Sequence, residues 1–209
     1  MILHRVLPKR ALEDPRSLAS ILARIARVGL PTIAAIGIYS CVYQVVLATS
    51  FPPFGPVGRA ALGNGFTIEG LAFCLIWGLA QAVGSLAGNA LGAGDPEQAQ
   101  AVVRRGVHVV LVMIVPLTLL FLFGASALAS VLTDDPATHA AVVVYLQTLA
   151  WSQWAVGIQG VQENALYSSG YATPPALASA FWNLTRIPLC YVFAHTLGFG
   201  LLGIWWAIN

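Results

Sequence analysis

Charge is what this sequence has least of. Lys and Arg number 10 and Asp and Glu 8 in 209 residues, so charged residues make up 9% of the chain, against about 25% in soluble domains. That supply cannot cover a water-facing surface, which excludes a soluble catalytic domain. Cysteine is scarce too: Cys41, Cys74 and Cys190 each fall in an apolar stretch without ligand spacing. They suggest neither a disulfide framework nor a zinc site and read as small buried hydrophobes. His108, His139 and His195 sit near the ends of apolar stretches, in no HExxH or CxxC arrangement. Ser85 in GSLAG departs from the GxSxG nucleophile elbow. No enzyme, metal centre, organic cofactor or nucleic-acid partner is therefore expected. Residues 1–27 lack the continuous apolar core and small-residue cleavage site of a signal peptide, so they are expected to persist in the mature protein.

What is present is hydrophobicity, at 58% of residues and a mean hydropathy of +0.79. A span needs about 20 largely apolar residues, and six stretches reach or approach that length, at residues 28–50, 61–92, 106–132, 140–163, 175–197 and 199–209. The last covers about half a crossing before Asn209. The expectation is an all-α integral membrane protein, a six-helix transmembrane bundle over 28–209 whose truncated last helix continues elsewhere. Residues 1–27 form a basic lead-in. There, Leu18, Ile21, Leu22, Ile25 and Val28 follow helical spacing after Ser17, a possible cap, with Arg24 and Arg27 beside the stripe. This suits either an amphipathic helix on the cytoplasmic interface or a plain basic linker. Net charge is +2, but its placement carries more information. Arg5, Lys9, Arg10, Arg16, Arg24 and Arg27 crowd the amino end, which the positive-inside tendency places in the cytoplasm. The loop with Arg104 and Arg105 then falls on the same side, and the loop with Asp134 and Asp135 faces out. A multi-pass protein of the cell's inner membrane is expected, with the lipid bilayer as its first partner.

The second span, IEGLAFCLIWGLAQAVGSLAGNALGAGD, is the most patterned. Ala80, Gly84, Gly88 and Gly92 recur every four residues, the interval at which small residues let helix backbones approach closely in lipid. Gln81, Ser85 and Asn89 repeat at the same interval on an adjoining strip, where they either hydrogen-bond to another helix or line a polar cavity. Glycine closes this helix in GAGD and Asp95 can cap the next, giving a tight hairpin.

Glu163 ends a span rich in amides, with Gln159 and Gln162 close on the same helical face. Arg186 lies on the next span, and the midpoint of the two falls at Pro174 and Pro175, where the chain turns. Similar depth is expected for both, and an intramembrane charge costs at least about 2.5 kcal/mol on insertion scales. A structural Glu163–Arg186 ion pair and a proton or cation relay are both open readings. Glu69 lies about 12 Å into the second span from its outer end, where helix-end amides, a neighbouring arginine or a transported ion could occupy it.

The segment LAGNALGAGDPEQAQ resembles the LVGQxLGAGD-type sequence of the multidrug and toxic compound extrusion family. At suitable spacing follow VLTDDPATHAAVVVYLQTLA, ALYSSGYATPP (similar to the family's ALRGAGDTxxP turn), RIPLCYVF and GLLGIWWAI, in family order from about Gly29 to Asn209. IEGLAF, with Glu69, looks most like the carboxy-terminal half. The sequence departs from the pattern at Asn89, where glutamine is usual, and at Tyr167 and Ser168, where arginine and glycine are usual. No carboxylate lies in its first span, and Val156 falls where some relatives carry an aspartate.

The resemblance implies one lobe of a twelve-helix antiporter whose two six-helix lobes are related by an axis along the membrane normal. Such proteins expel small amphiphilic or cationic compounds against entry of Na+ or H+. The missing second lobe, in the same chain or a partner, would complete the cavity. Glu163 then becomes a substitute coupling residue on the bottom-up reading alone. Two other readings stand beside this one: a lipid-linked oligosaccharide flippase-like transporter, and a non-transporting membrane subunit or degenerate half.

Overall fold

In a computed structural model, which describes residues 15–209, the chain is a bundle of helices with no strand among the described residues. In order these are α1 (Pro15–Thr49), α2 (Gly55–Gly92), α3 (Pro96–Phe123), α4 (Ala125–Ser130), α5 (Pro136–Ala150), α6 (Gln153–Ser168), α7 (Thr173–Tyr191) and α8 (Gly200–Ile208). A 3₁₀ turn at Pro52–Phe54 precedes α2 and a π-helical turn at Val192–Thr196 prolongs α7. Leu18–Thr49, Pro52–Gly92 and α3 are each long and apolar enough to cross a membrane, and α5 with α6 makes a fourth such unit bent by 57°. The outside of the bundle matches that reading. Leu71, Val112, Phe123, Leu177 and Trp182 are all more than half exposed, an arrangement suited to lipid rather than water.

Several boundaries differ from the sequence reading for identifiable reasons. Arg5, Lys9 and Arg10 lie outside the described residues. From Pro15 the chain is one continuous helix, so Ser17 falls inside α1 rather than capping it. Proline at a helix start forfeits an amide that would have no intrahelical partner anyway. The third span begins earlier than the apolar run because the Asp95 side chain accepts the Gln98 amide at 2.8 Å, and Gly94 ahead of it takes φ +79°. That start agrees with the expected hairpin. The fourth span is not continuous. At Trp151 and Ser152 the amides turn to the carbonyls of Thr148 and Leu149, three residues back, and the Ser152 hydroxyl donates to the Leu149 carbonyl at 3.0 Å. That shift to i−3 bonding ends α5 and re-aims the chain. Outside the spans, Asp135 caps α5, accepting from the amide and hydroxyl of Thr138 at 2.8 and 2.6 Å. These bonds hold its carboxyl below the usual aspartate range.

α2 is the element the others share. It packs on α3, α5 and α6, whereas α7 packs mainly on α1 and α8. One apolar cluster gathers Val42, Val46, Leu62, Tyr145, Leu146 and Trp205, and a second gathers Ile76, Ala80, Val83, Val110, Ile114 and Val161. The break at residues 151–152 separates α5, which serves the first cluster, from α6, whose Val161 joins the second.

The small-residue stripe forms the α2–α6 seam. A side chain added at Gly84 would meet the Asn164 carbonyl oxygen at 2.7 Å, and one at Gly88 would meet Ser168 Cβ at 3.1 Å. Ala80 is fully buried opposite Gly160. Gly160, Asn164 and Ser168 thus repeat the four-residue interval on the facing helix. Gly92 has nothing within 4 Å and lies beyond the seam. Gly84→Leu is expected to destabilise the protein by about 1–3 kcal/mol through overpacking, whereas Gly92→Ala leaves it unchanged. Thermal melting in detergent compares the two, and equal melting temperatures would contradict the seam.

Candidate functional site

A polar cluster lies inside this apolar bundle, and it begins with a glycine. A Cβ at Gly65 would collide with the Tyr145 ring, so the bare backbone of α2 lets that ring approach the helix closely. One turn further on, the partly buried Glu69 carboxylate accepts a hydrogen bond from the Tyr145 hydroxyl. Glu69 is fourteen residues from the start of α2 at Gly55, about 21 Å along the axis, and so deeper than the apolar pattern suggests. Tyr145 is held from its other side by Trp205, ring centroids 5.0 Å apart and edge to face.

Arg186 of α7 approaches the same region. Its Nη1 donates to Asn183 Oδ1 at 2.7 Å, and the Tyr43 hydroxyl lies 3.5 Å away. The guanidinium lies 6.0 and 5.8 Å from the ring centroids of Tyr39 and Tyr43, within cation–π range. Tyr43 contacts Phe66 edge-on at 5.0 Å, and Phe66 faces Tyr145 at 6.4 Å. An aromatic chain therefore runs from Arg186 to the residue that holds Glu69. The two share no hydrogen bond: Glu69 accepts from Tyr145, and Arg186 donates to Asn183 and Tyr43, all neutral groups.

Glu163 is placed differently from the expectation. It accepts from Gln159 Nε2 at 2.8 Å, four residues back on its own helix, and Gln162 beside it is exposed. The expected Glu163–Arg186 ion pair is not formed. Consecutive spans need not be packing neighbours: α6 packs on α2 and α3, while α7 packs on α1. Gln81, Ser85 and Asn89 are all exposed, and among the described residues they make no hydrogen bond to another helix. Cys190 is buried as expected, but Cys41 and Cys74 are exposed, and none is paired.

The sequence reading found Glu69 and Arg186 but missed Tyr145, Tyr43, Tyr39 and Asn183. Local signals existed for the pairs Tyr39–Tyr43 and Asn183–Arg186, spaced for one helical face. Nothing local ties Tyr145 to a residue 76 positions earlier. Among the described residues no group of three or more His, Cys, Asp or Glu could hold a metal ion. What the site offers is one carboxylate, a hydroxyl donor that can be exchanged, and a fixed cation nearby.

Tyr145→Phe is expected to cost about 1 kcal/mol, the loss of one hydrogen bond. Gly65→Ala should cost more, because the whole ring must leave the helix surface. Melting temperatures of both variants check this order, and a Gly65→Ala protein as stable as the parent would contradict it.

Comparison with known proteins gives a consistent set. The family model described as MatE matches residues 31–192. Probable multidrug resistance protein NorM of Thermotoga maritima is 25% identical over 183 residues, which are 87% of this chain and 39% of that protein. The NorM of Rhodopseudomonas palustris is 32% identical over 163 residues, 76% of this chain and 33% of the other. Protein DETOXIFICATION 37 of Arabidopsis thaliana is 30% identical over 161 residues, 73% and 31% respectively. A MOP superfamily transporter from Pyrococcus furiosus superposes with a TM-score of 0.82 at 23% identity, covering 88% of this chain and 40% of that one. An outward-facing multidrug resistance MATE family transporter gives 0.81 at 23% identity, covering 88% and 41%. At such identity the likeness establishes the fold. The chain spans between 31% and 41% of the length of these proteins.

Proposed function

Since the chain belongs to the MATE (multidrug and toxic compound extrusion) family, we propose that it forms one lobe of a cation-coupled efflux antiporter, with Glu69 as the ion-coupling group. Members of this family are transporters, not enzymes. The observation that carries the reading is the placement of Glu69: a carboxylate inside an apolar bundle, bonded to the Tyr145 hydroxyl, with Arg186 held near it by neutral groups. An ionisable group at membrane depth is expensive unless its charge is used or compensated, and here the compensation is partial and exchangeable.

The donor set favours a proton over Na+. A sodium ion needs several oxygen ligands, and beside Glu69 stands one tyrosine hydroxyl, while a guanidinium has no acceptor to offer. Protonating Glu69 removes the negative charge opposite Arg186 and allows the Tyr145 bond to reverse, since a neutral carboxyl can donate as well as accept. Both changes fall on α5, which packs on α2, and on α7, which packs on α1. Such a local charge change can bias two arrangements of the lobe. Glu163, on a partly exposed helix face with only Gln159 bonded to it, lacks this link to other helices.

The orientation we propose rests on charge alone: Arg104 and Arg105, near the start of α3, and the basic amino end are both expected on the cytoplasmic side. A second lobe, in the same polypeptide or a partner, completes the cavity for small amphiphilic or cationic compounds. In everted vesicles carrying the full-length protein, Glu69→Gln is expected to lower pH-gradient-driven dye efflux by about tenfold or more without loss of insertion. Glu163→Gln should leave it within about twofold. Efflux preserved in Glu69→Gln would remove Glu69 from the mechanism.

A further inference from the structure

Beside the Glu69 cluster, and sharing Tyr43 and Phe66 with its aromatic chain, an open groove of about 520 Å³ runs between α1 and α2. Leu47, Leu62 and Phe66 form its apolar floor, and all three belong to or pack against the first apolar cluster. Gln44 and Arg59 stand exposed at its edges, and Gly63 leaves it open, since a Cβ there would meet nothing within 4 Å. Arg59 is the charged residue of the lining. Among the described residues it makes no ion pair or hydrogen bond. The nearest acidic residue in sequence on its helix, Glu69, is turned to Tyr145.

We propose that this groove binds a drug-sized amphiphilic anion, with its carboxylate or sulfonate on Arg59 and its apolar body along Leu47, Leu62 and Phe66. The proposal names a ligand class for the efflux lobe and so rests on the transport reading above. Three features point to this occupant. The groove's volume falls in the range of about 300–1,000 Å³ typical of small-molecule sites, which combine apolar walls with a few placed polar groups. Its one charge is a guanidinium, the side chain best suited to a planar oxyanion. It holds no carboxylate to attract a cation, and Tyr43, which also lines it, already faces the positive Arg186. Gln44 adds an amide donor at the opposite edge.

The test measures binding rather than transport, so its failure is separable from failure of the antiport reading. Full-length protein in detergent is titrated with 8-anilinonaphthalene-1-sulfonate as the anionic probe and with ethidium as the cationic one. Two variants report independently: Arg59→Gln removes the charge, and Gly63→Leu places a side chain into the groove at a position where the Cβ is free of contacts. Each should weaken anilinonaphthalene sulfonate binding by about tenfold, and Arg59→Lys should restore most of it, with melting temperatures and ethidium binding unchanged. Anion binding insensitive to both variants would overturn the proposal. So would ethidium proving the ligand that Gly63→Leu displaces. Phosphatidylglycerol retained at one per protein in the parent and lost in Arg59→Gln would also overturn it, by assigning the groove to a membrane lipid. If anion binding behaves as expected while Glu69→Gln transports normally, the groove stands and the coupling assignment falls.

Discussion

The constraint on which the structure turns is the placement of a carboxylate inside an apolar helical bundle. Glu69 is partly buried, and the amides of its own helix are committed to helical bonds and cannot bind its carboxylate. Its neighbours are arranged around that requirement. Gly65 clears the helix surface, Tyr145 lies in the cleared space, Trp205 packs edge to face on Tyr145, and the aromatic chain through Phe66 and Tyr43 leads on to Arg186. Arg186 in turn depends on Asn183 and on the faces of Tyr39 and Tyr43. α1, α2, α5, α7 and α8 each contribute a member, so the placement of one charged group ties together most of the bundle.

On the proposed coupling role, the arrangement matters because it is satisfied without being locked. A carboxylate bridged directly to arginine in a closed ion pair would be costly to open. Here each charge bonds to a neutral partner, and the attraction between them acts across aromatic rings. On the proposed reading, protonation of Glu69 leaves Arg186 with only its neutral partners Asn183 and Tyr43, and so can redistribute contacts among helices. The mechanical path is short. α2 carries Glu69 between the two apolar clusters, and its glycine seam with α6 has backbones close enough that small shifts of one helix are felt by the other. The bend between α5 and α6 lets the fourth span follow both clusters, so movement at Tyr145 and movement along the seam need not be the same movement.

Much of this was legible in the sequence, and the reasons differ by feature. Hydropathy showed the membrane class and the approximate spans because lipid-facing helices must be apolar all round. The Ala80, Gly84, Gly88 stripe announced a close helix contact because the four-residue interval defines a helix face. It ran one turn too far at Gly92, since nothing local says where a seam stops. Asp95 and the glycines before it marked the hairpin through cap chemistry that is local by nature. The Glu163–Arg186 pairing failed because it assumed that consecutive antiparallel spans are packing neighbours, and packing order is a tertiary property. The bend at Trp151–Ser152 was hidden because neither residue is a proline or glycine. Tyr145 was missed for a related reason: an aromatic in an apolar span reads as core until the glycine it lies against is known.

The account's central claim is that Glu69 and Arg186 are energetically coupled through the residues between them, although they share no hydrogen bond. A double-mutant cycle on thermal stability, with Glu69→Gln, Arg186→Gln and both together, measures that coupling directly. The account predicts that the double variant is less destabilised than the sum of the single ones, by about 0.5–3 kcal/mol as for residues in one network. Strictly additive losses would show that the two charges ignore each other and would contradict the account.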